Sequence, residues 1–220
     1  MSDTNGLFLV FEGVDGAGKT TQIELLQKRF LSEGIEPLLV REPGGTLIGE
    51  AIRDILLSHH SEGMDPRTEM LLFCSSRAEL VANKILPSLT SGGVVIADRY
   101  RLSTEIYQGV GRGLPIGEVK RTLDFATQNL HPDFTFILDL PYDTAIDRKR
   151  LSGIATDRME AAGEGFFRKV QQAFVQSNGK GYLHLTADSD AGSIHSAIWE
   201  TIVRSEWWSQ RAVASTVTGT

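Results

Sequence analysis

Gly13-Val14-Asp15-Gly16-Ala17-Gly18-Lys19-Thr20 stands between the apolar run Leu7–Phe11 (LFLVF) and a segment in which Ile23, Leu26 and Phe30 recur at helical spacing. The pattern G-x-x-x-x-G-K-[ST] at a strand-to-helix junction is a phosphate-binding loop. Its glycines let successive backbone N–H groups converge on phosphate oxygens, and the N-terminus of the following helix adds partial positive charge. Lys19 reaches the β- and γ-phosphates, while the Thr20 hydroxyl is placed to ligate Mg²⁺. The loop predicts a bound nucleoside triphosphate.

Outward from the loop, short apolar runs alternate with longer segments of helical period. Leu7–Phe11, Pro37–Val40, Val94–Ala97, Phe134–Leu140 and Tyr182–Leu185 read as five strands. Most are apolar throughout, as strands covered on both faces are. Helices are expected around Ile48, Ile52 and Ile55, and over Arg67–Ser91, Ile116–Asn129, Thr144–Arg150, Phe166–Ser177 and Ser193–Glu206. This βα alternation predicts an α/β fold with a mainly parallel sheet. Residues 1–210 read as one domain and 211–220 as a small, polar, disordered tail.

Composition narrows the function classes. The 220 residues carry a net charge of −6 and one cysteine, Cys74. A broad basic face for nucleic acid or an anionic membrane is not expected, nor is an internal disulfide. No run approaches the length of a membrane span, so the expectation is a cytoplasmic protein without membrane or nucleic-acid partners. No N-K-x-D motif is present to read guanine.

Asp98-Arg99-Tyr100 follows the strand Val94–Ala97, which sends both charges to the carboxyl end of the sheet, where open α/β sheets bind ligands. An acid there can hold Mg²⁺ through water, and the adjacent guanidinium suits a second phosphate. Arg41-Glu42-Pro43-Gly44-Gly45-Thr46 turns sharply after another strand and would present Arg41 or Glu42 to the same crevice. Phe73 and Arg77 stand four apart on one helix, so a ring and a guanidinium could meet the face and edge of a base.

The segments E-G-V-D-G-A-G-K-T-T, R-E-P-G-G-T, L-L-F-C-S-S-R, D-R-Y-R-L-S-T-E-I-Y-Q-G and D-R-M-E, in this order and spacing, resemble the thymidylate kinase family from about Leu7 to Trp207. The resemblance implies a three-layer sandwich with a five-stranded, mainly parallel sheet, the P-loop NTPase fold with a mobile lid, and a homodimer through the helices containing Met70 and Leu72. It implies the reaction ATP + dTMP → ADP + dTDP with Mg²⁺. The ATP site would comprise Gly13, Val14, Asp15, Gly16, Ala17, Gly18, Lys19, Thr20 and Thr21, with Thr20 and, through water, Asp98 on the metal. In the dTMP site, Asp15 would meet the 3′-hydroxyl, Phe73 would stack on thymine and Arg77 would bond its O4 edge. Thr104 and Gln108 would read the base and its imide, and Tyr107 would leave no room for a ribose hydroxyl. Arg53 and Arg99 would grip the acceptor phosphate, with Glu42, Pro43 and Ser103 shaping the wall. Ile106 would tighten the same pocket.

The lid is expected at about residues 148–158. Val14, Asp15, Gly16 and Ala17 carry no base; the resemblance, to a family whose members supply this cation from the phosphate loop or from the lid, then implies a lid arginine over the transferring phosphoryl, with Arg148 and Arg150 as candidates and Arg158 nearby. Catalysis would rest on Lys19, Asp98, Arg99, Arg148 and Arg150. The rivals are another nucleotide or nucleoside kinase, and a nucleotide-dependent switch that has lost the chemistry.

Overall fold

The computed structural model describes residues 5–152, 158–159 and 162–217, without the side chains of Lys149, Arg150, Ser152 and residues 212–217. The apolar runs form five strands: β1 (Leu7–Glu12), β2 (Leu38–Arg41), β3 (Val94–Asp98), β4 (Phe134–Asp139) and β5 (Tyr182–Thr186). They pair in the order β2-β3-β1-β4-β5, every pair parallel. The chain runs from β1 out to β2, back to β3, and then across β1 to β4. The order of connection therefore reverses between β1 and β3, and a crevice opens there beyond their carboxyl ends.

Residues of β1 are buried along its whole length, and β3 is buried through Ala97. The expectation that the strands are covered on both faces fails at the edges, because β2 and β5 have only one neighbour and keep half-exposed positions. On one side of the sheet Leu9, Phe11, Phe136 and Leu138 pack with Leu26, Phe30 and Ile198. On the other, Phe8, Val10 and Val95 meet Leu80, Ile85 and Tyr100. Burying one such leucine or phenylalanine is worth about 2 kcal/mol. These two faces anchor the crevice from below.

The helices around the sheet are α1 (Lys19–Ser32), α2 (Leu47–Leu57), α3 (Pro66–Leu80), α4 (Leu86–Thr90), α5 (Arg101–Thr104), α6 (Ile116–Thr127), α7 (Tyr142–Ser152), α8 (Glu164–Gln176), α9 (Ala191–Val203) and α10 (Glu206–Val217). The helix expected over Arg67–Ser91 is not uniform: a π-helical stretch, Val81–Ile85, separates α3 from α4, which opens with Pro87 at its start. Asp65 caps α3 through the Arg67 N–H, with Pro66 at its first position. The segment expected as one helix over Ser193–Glu206 breaks between α9 and α10. Helix α10 carries helical backbone into the stretch expected as a tail, and its Trp208 packs on Phe30 and Trp199.

Candidate active site

A cavity of about 640 Å³ occupies the crevice. Its lining carries six cationic side chains (Lys19, Arg41, Arg53, Arg77, Arg99 and Arg148) against three anionic ones (Asp15, Glu42 and Asp98). In a chain of net charge −6 this local excess of positive charge is a site for a polyanion.

One end is the phosphate loop. Gly13 has φ +131, and a Cβ there would sit 2.7 Å from the Leu138 carbonyl oxygen, so only glycine lets the loop leave β1 so close to β4. Gly18 caps α1 in a left-handed conformation and, being glycine, brings no side-chain acceptor to the first-turn N–H groups. Those donors point to the crevice as an anion site. Lys19, 7% exposed, lies across the loop with Nζ 3.2 Å from the Gly13 carbonyl and 3.0 Å from that of Val14. Burial and the nearby Arg99 push its pKa down. A phosphate at the loop would oppose that shift. Asp15, Gly16, Gly18, Lys19 and Thr20 reach the cavity wall, whereas Gly13, Val14 and Ala17 are buried beneath it and Thr21 is not part of the lining.

Between the two ends stand Asp98 and Arg99, delivered by β3. Arg99 holds φ +70, a conformation uncommon outside glycine, and its N–H donates to the Phe11 carbonyl. The turn aims the guanidinium at Asp15 and at Ser103 Oγ, 3.0 Å away, and lays it over the Tyr107 ring. Beneath them Glu12 is fully buried and accepts from the Tyr100 and Ser103 N–H groups and the Ser103 hydroxyl. Burial raises its pKa, against the pull of Arg99. Glu12 thus fixes the turn that carries Arg99. Asp98 keeps a buried Oδ1 with no hydrogen-bond partner among the described residues, and it lines the same cavity as Thr20.

The far end is a pocket of mixed character. Phe73 is half-buried on α3, and Arg77, one turn on, is 1% exposed. The Arg77 guanidinium donates to Glu42 Oε2 at 2.6 Å, to Thr104 Oγ1 and to the Tyr100 carbonyl. Burial raises the Glu42 pKa to about 7 despite Arg77. Arg53 donates to the Pro43 carbonyl at 2.9 Å, which fastens α2 to the turn after β2. Gln108 donates to the buried Glu69, which also accepts from Arg112 and Arg158.

All of Asp15, Glu42, Pro43, Arg53, Phe73, Arg77, Arg99, Ser103, Thr104, Tyr107 and Gln108 line this one cavity, together with Lys19, Asp98 and Arg148. Arg148 donates to the Ala187 carbonyl at 3.0 Å and approaches that of Gly16, bridging α7 to the phosphate loop. The Arg150 side chain and residues 153–157 of the expected lid lie outside the described residues. Ile106 does not tighten the pocket: it is 3% exposed in the main core and is not part of the lining.

Sequence reading passed over Glu12, Leu57, Glu69 and Met159. An acid ending an otherwise apolar strand was a usable signal for Glu12, and Met159 sat inside the quoted D-R-M-E segment. Glu69 and Leu57 lie on ordinary helical sequence and gave none.

The thymidylate kinase family model matches residues 11–198. The thymidylate kinase of Caldanaerobacter subterraneus subsp. tengcongensis is 45% identical over 83% of this chain and 83% of its own length. That of Desulforudis audaxviator is 40% identical over 90% of each. Among solved structures, the thymidylate kinase of Ehrlichia chaffeensis superposes with a TM-score of 0.70 at 32% identity, covering 90% of this chain and 98% of that one.

Proposed function

The chain belongs to the thymidylate kinase family, and from that premise we infer that it transfers the γ-phosphoryl group of ATP to dTMP, giving ADP and dTDP. The observation that carries this reading is one cavity with a phosphate loop at one end and an aromatic, amide-lined pocket at the other, joined by arginines. ATP would lay its phosphates on Gly13–Thr21, and dTMP would bind between Phe73, Arg77, Thr104, Tyr107 and Gln108. The acceptor phosphate would meet Arg53 and Arg99.

A phosphate monoester has a second pKa near 6, so the attacking oxygen is largely anionic at neutral pH and needs no strong base. The protein's task is to align two polyanions and offset their repulsion. Lys19 and Arg148 would draw charge from the transferring group, and Arg99 would hold the nucleophile in line. Arg150 is proposed as a second lid cation. Asp98 Oδ1, without a hydrogen-bond partner among the described residues and in the same cavity as Thr20, suits a hydrated cation. Mg²⁺ bound there would neutralise phosphate charge, held by the Thr20 hydroxyl and through water by Asp98.

Residues 1–210 are read as a single kinase domain with a lid at about 148–158, and the working unit as a homodimer. The cytoplasm is the inferred compartment, in keeping with one buried, unpaired cysteine, Cys74.

The test is steady-state kinetics with dTMP, dUMP, UMP and thymidine, repeated for Phe73→Ala. The expected order is dTMP above dUMP, with UMP and thymidine inert, because Tyr107 excludes a ribose hydroxyl and thymidine lacks the nucleophile. Phe73→Ala removes a stacking face worth about 1–3 kcal/mol, so KM for dTMP should rise about tenfold or more with KM for ATP unchanged. Equal effects on both substrates would misplace the base pocket.

A further inference from the structure

Glu69 sits on α3, fully buried, and is not itself part of the cavity wall. Both of its oxygens are occupied by donors. Oε1 accepts from Gln108 Nε2 at 2.9 Å and Arg112 Nε at 3.1 Å; Oε2 accepts from the Arg112 terminal nitrogen at 3.2 Å and from Arg158 at 2.7 Å. Arg158 is itself tied by Nε to the Leu56 carbonyl at 2.7 Å, and the three donor residues come from two stretches of chain, Gln108–Arg112 and Arg158. Burial works against the charged form, but the donors outweigh it and hold the Glu69 pKa below its ordinary value.

A carboxylate so held only accepts. The Gln108 side-chain amide has one donating end and one accepting end, and the wrong end toward Glu69 would set two acceptors against each other in a buried site. The NH₂ group therefore faces Glu69, and the carbonyl oxygen is the end turned away from it. Gln108 lines the cavity, at its base-binding end on the functional reading above, on which this inference rests. We propose that Glu69 is a specificity-positioning residue: it locks the Gln108 amide with its carbonyl oxygen as the base-reading atom. That selects pyrimidines carrying an N3–H donor, thymine and uracil, over cytosine, whose N3 is an acceptor.

Glu69→Gln tests the lock. A neutral amide at position 69 can donate as well as accept, so Gln108 is free to turn over, while Arg77 and Phe73 keep their places. The readout is kcat/KM for dTMP, dUMP and dCMP in wild type and variant, with the melting midpoint as the check on folding. The ratio of dTMP to dCMP should fall by about tenfold or more, since a hydrogen-bonding site discriminates through the group it would leave unpaired. The ratio of dTMP to dUMP should stay, because both bases carry N3–H, and KM for ATP should not move. A uniform loss on all three acceptors with unchanged ratios would overturn the proposal and leave Glu69 a purely structural anchor. Should Glu69→Gln fail to fold, Gln108→Leu leaves the Glu69–arginine cluster intact. An unchanged dTMP-to-dCMP ratio in that variant overturns the proposal, and a fall of similar size supports it. Failure of the kinase reading itself would appear separately, as a wild-type enzyme that does not discriminate for dTMP.

Discussion

Glu42 and Arg77 form the most deeply buried charged contact on the cavity wall, 6% and 1% exposed. Desolvation dominates at Glu42 and lifts its pKa to about 7, from 4.5 in the unfolded chain. The folded protein then binds more protons than the unfolded chain between these values, so stability falls as pH rises from about 4.5 through about 7. The contribution is present below the unfolded pKa and lost above the folded one. Glu42→Gln cannot titrate, so wild type should lose about 3 kcal/mol relative to it across that interval, a figure set by one pKa unit being about 1.4 kcal/mol. Chemical denaturation of both proteins at a series of pH values checks this; a constant difference would mean that Glu42 stays ionised in the fold. At this scale the sequence was informative wherever a residue announced its backbone, as in the glycines of Gly13–Thr20. It was silent where a residue works through another. Glu69 exerts its effect by holding Gln108, and a contact across 39 residues leaves no trace in local pattern; Glu12 holds the Arg99 turn across 88 residues, and its one local sign is an acid closing an apolar strand.

Elements follow the same division. The strands were legible because each is a short run between turn signals, and their ends moved by only a residue or so. The helical segment Arg101–Gly111 was not, because its apolar residues follow no clean period and it passes into a π-helical stretch over Glu105–Gly111. It is held by tertiary contacts: Arg101 bonds Thr127 and Asp124 of α6, and Tyr107 packs against Phe166 and Phe174 of α8. That packing places Thr104, Tyr107 and Gln108 at the cavity. Periodicity located α2 correctly, but its Ile48 and Ile55 are exposed. The same helix exposes Leu47 at 94%, and its neighbours α3 and α6 expose Leu71 at 53% and Phe125 at 89%. Helix α2 packs on α3 and α3 on α6, so these side chains lie on three adjoining elements. Met70 itself, on the helix through which a dimer is expected, turns inward against Cys74, Val119 and Leu123. Exposed apolar side chains on adjoining helices make this face the candidate for the proposed subunit interface. Leu71→Glu combined with Phe125→Glu should therefore yield a monomer by light scattering with an unchanged circular dichroism spectrum. A wild type that is itself monomeric would refute the homodimer.

For the whole molecule, the order β2-β3-β1-β4-β5 makes the chemistry legible. Both β1 and β3 end at the reversal point, so the phosphate loop and the Asp98-Arg99 turn must share one crevice whatever the surface helices do. The α/β class was readable from alternation, whereas strand order was not, because it depends on which buried faces match across the sheet. The family resemblance supplied the acceptor pocket, and the fold then brought its eleven residues to a single wall. Such a cavity accounts for transfer between two phosphates better than for simple hydrolysis, since its cations extend well beyond the phosphate loop. The most direct test uses ATP labelled in the γ-phosphate, with Mg²⁺ and dTMP, and follows where the label goes. Transfer to dTMP predicts that it appears in the β-phosphate of dTDP, with dTMP consumed in equal amount. Label released as inorganic phosphate while dTMP remains intact would contradict it.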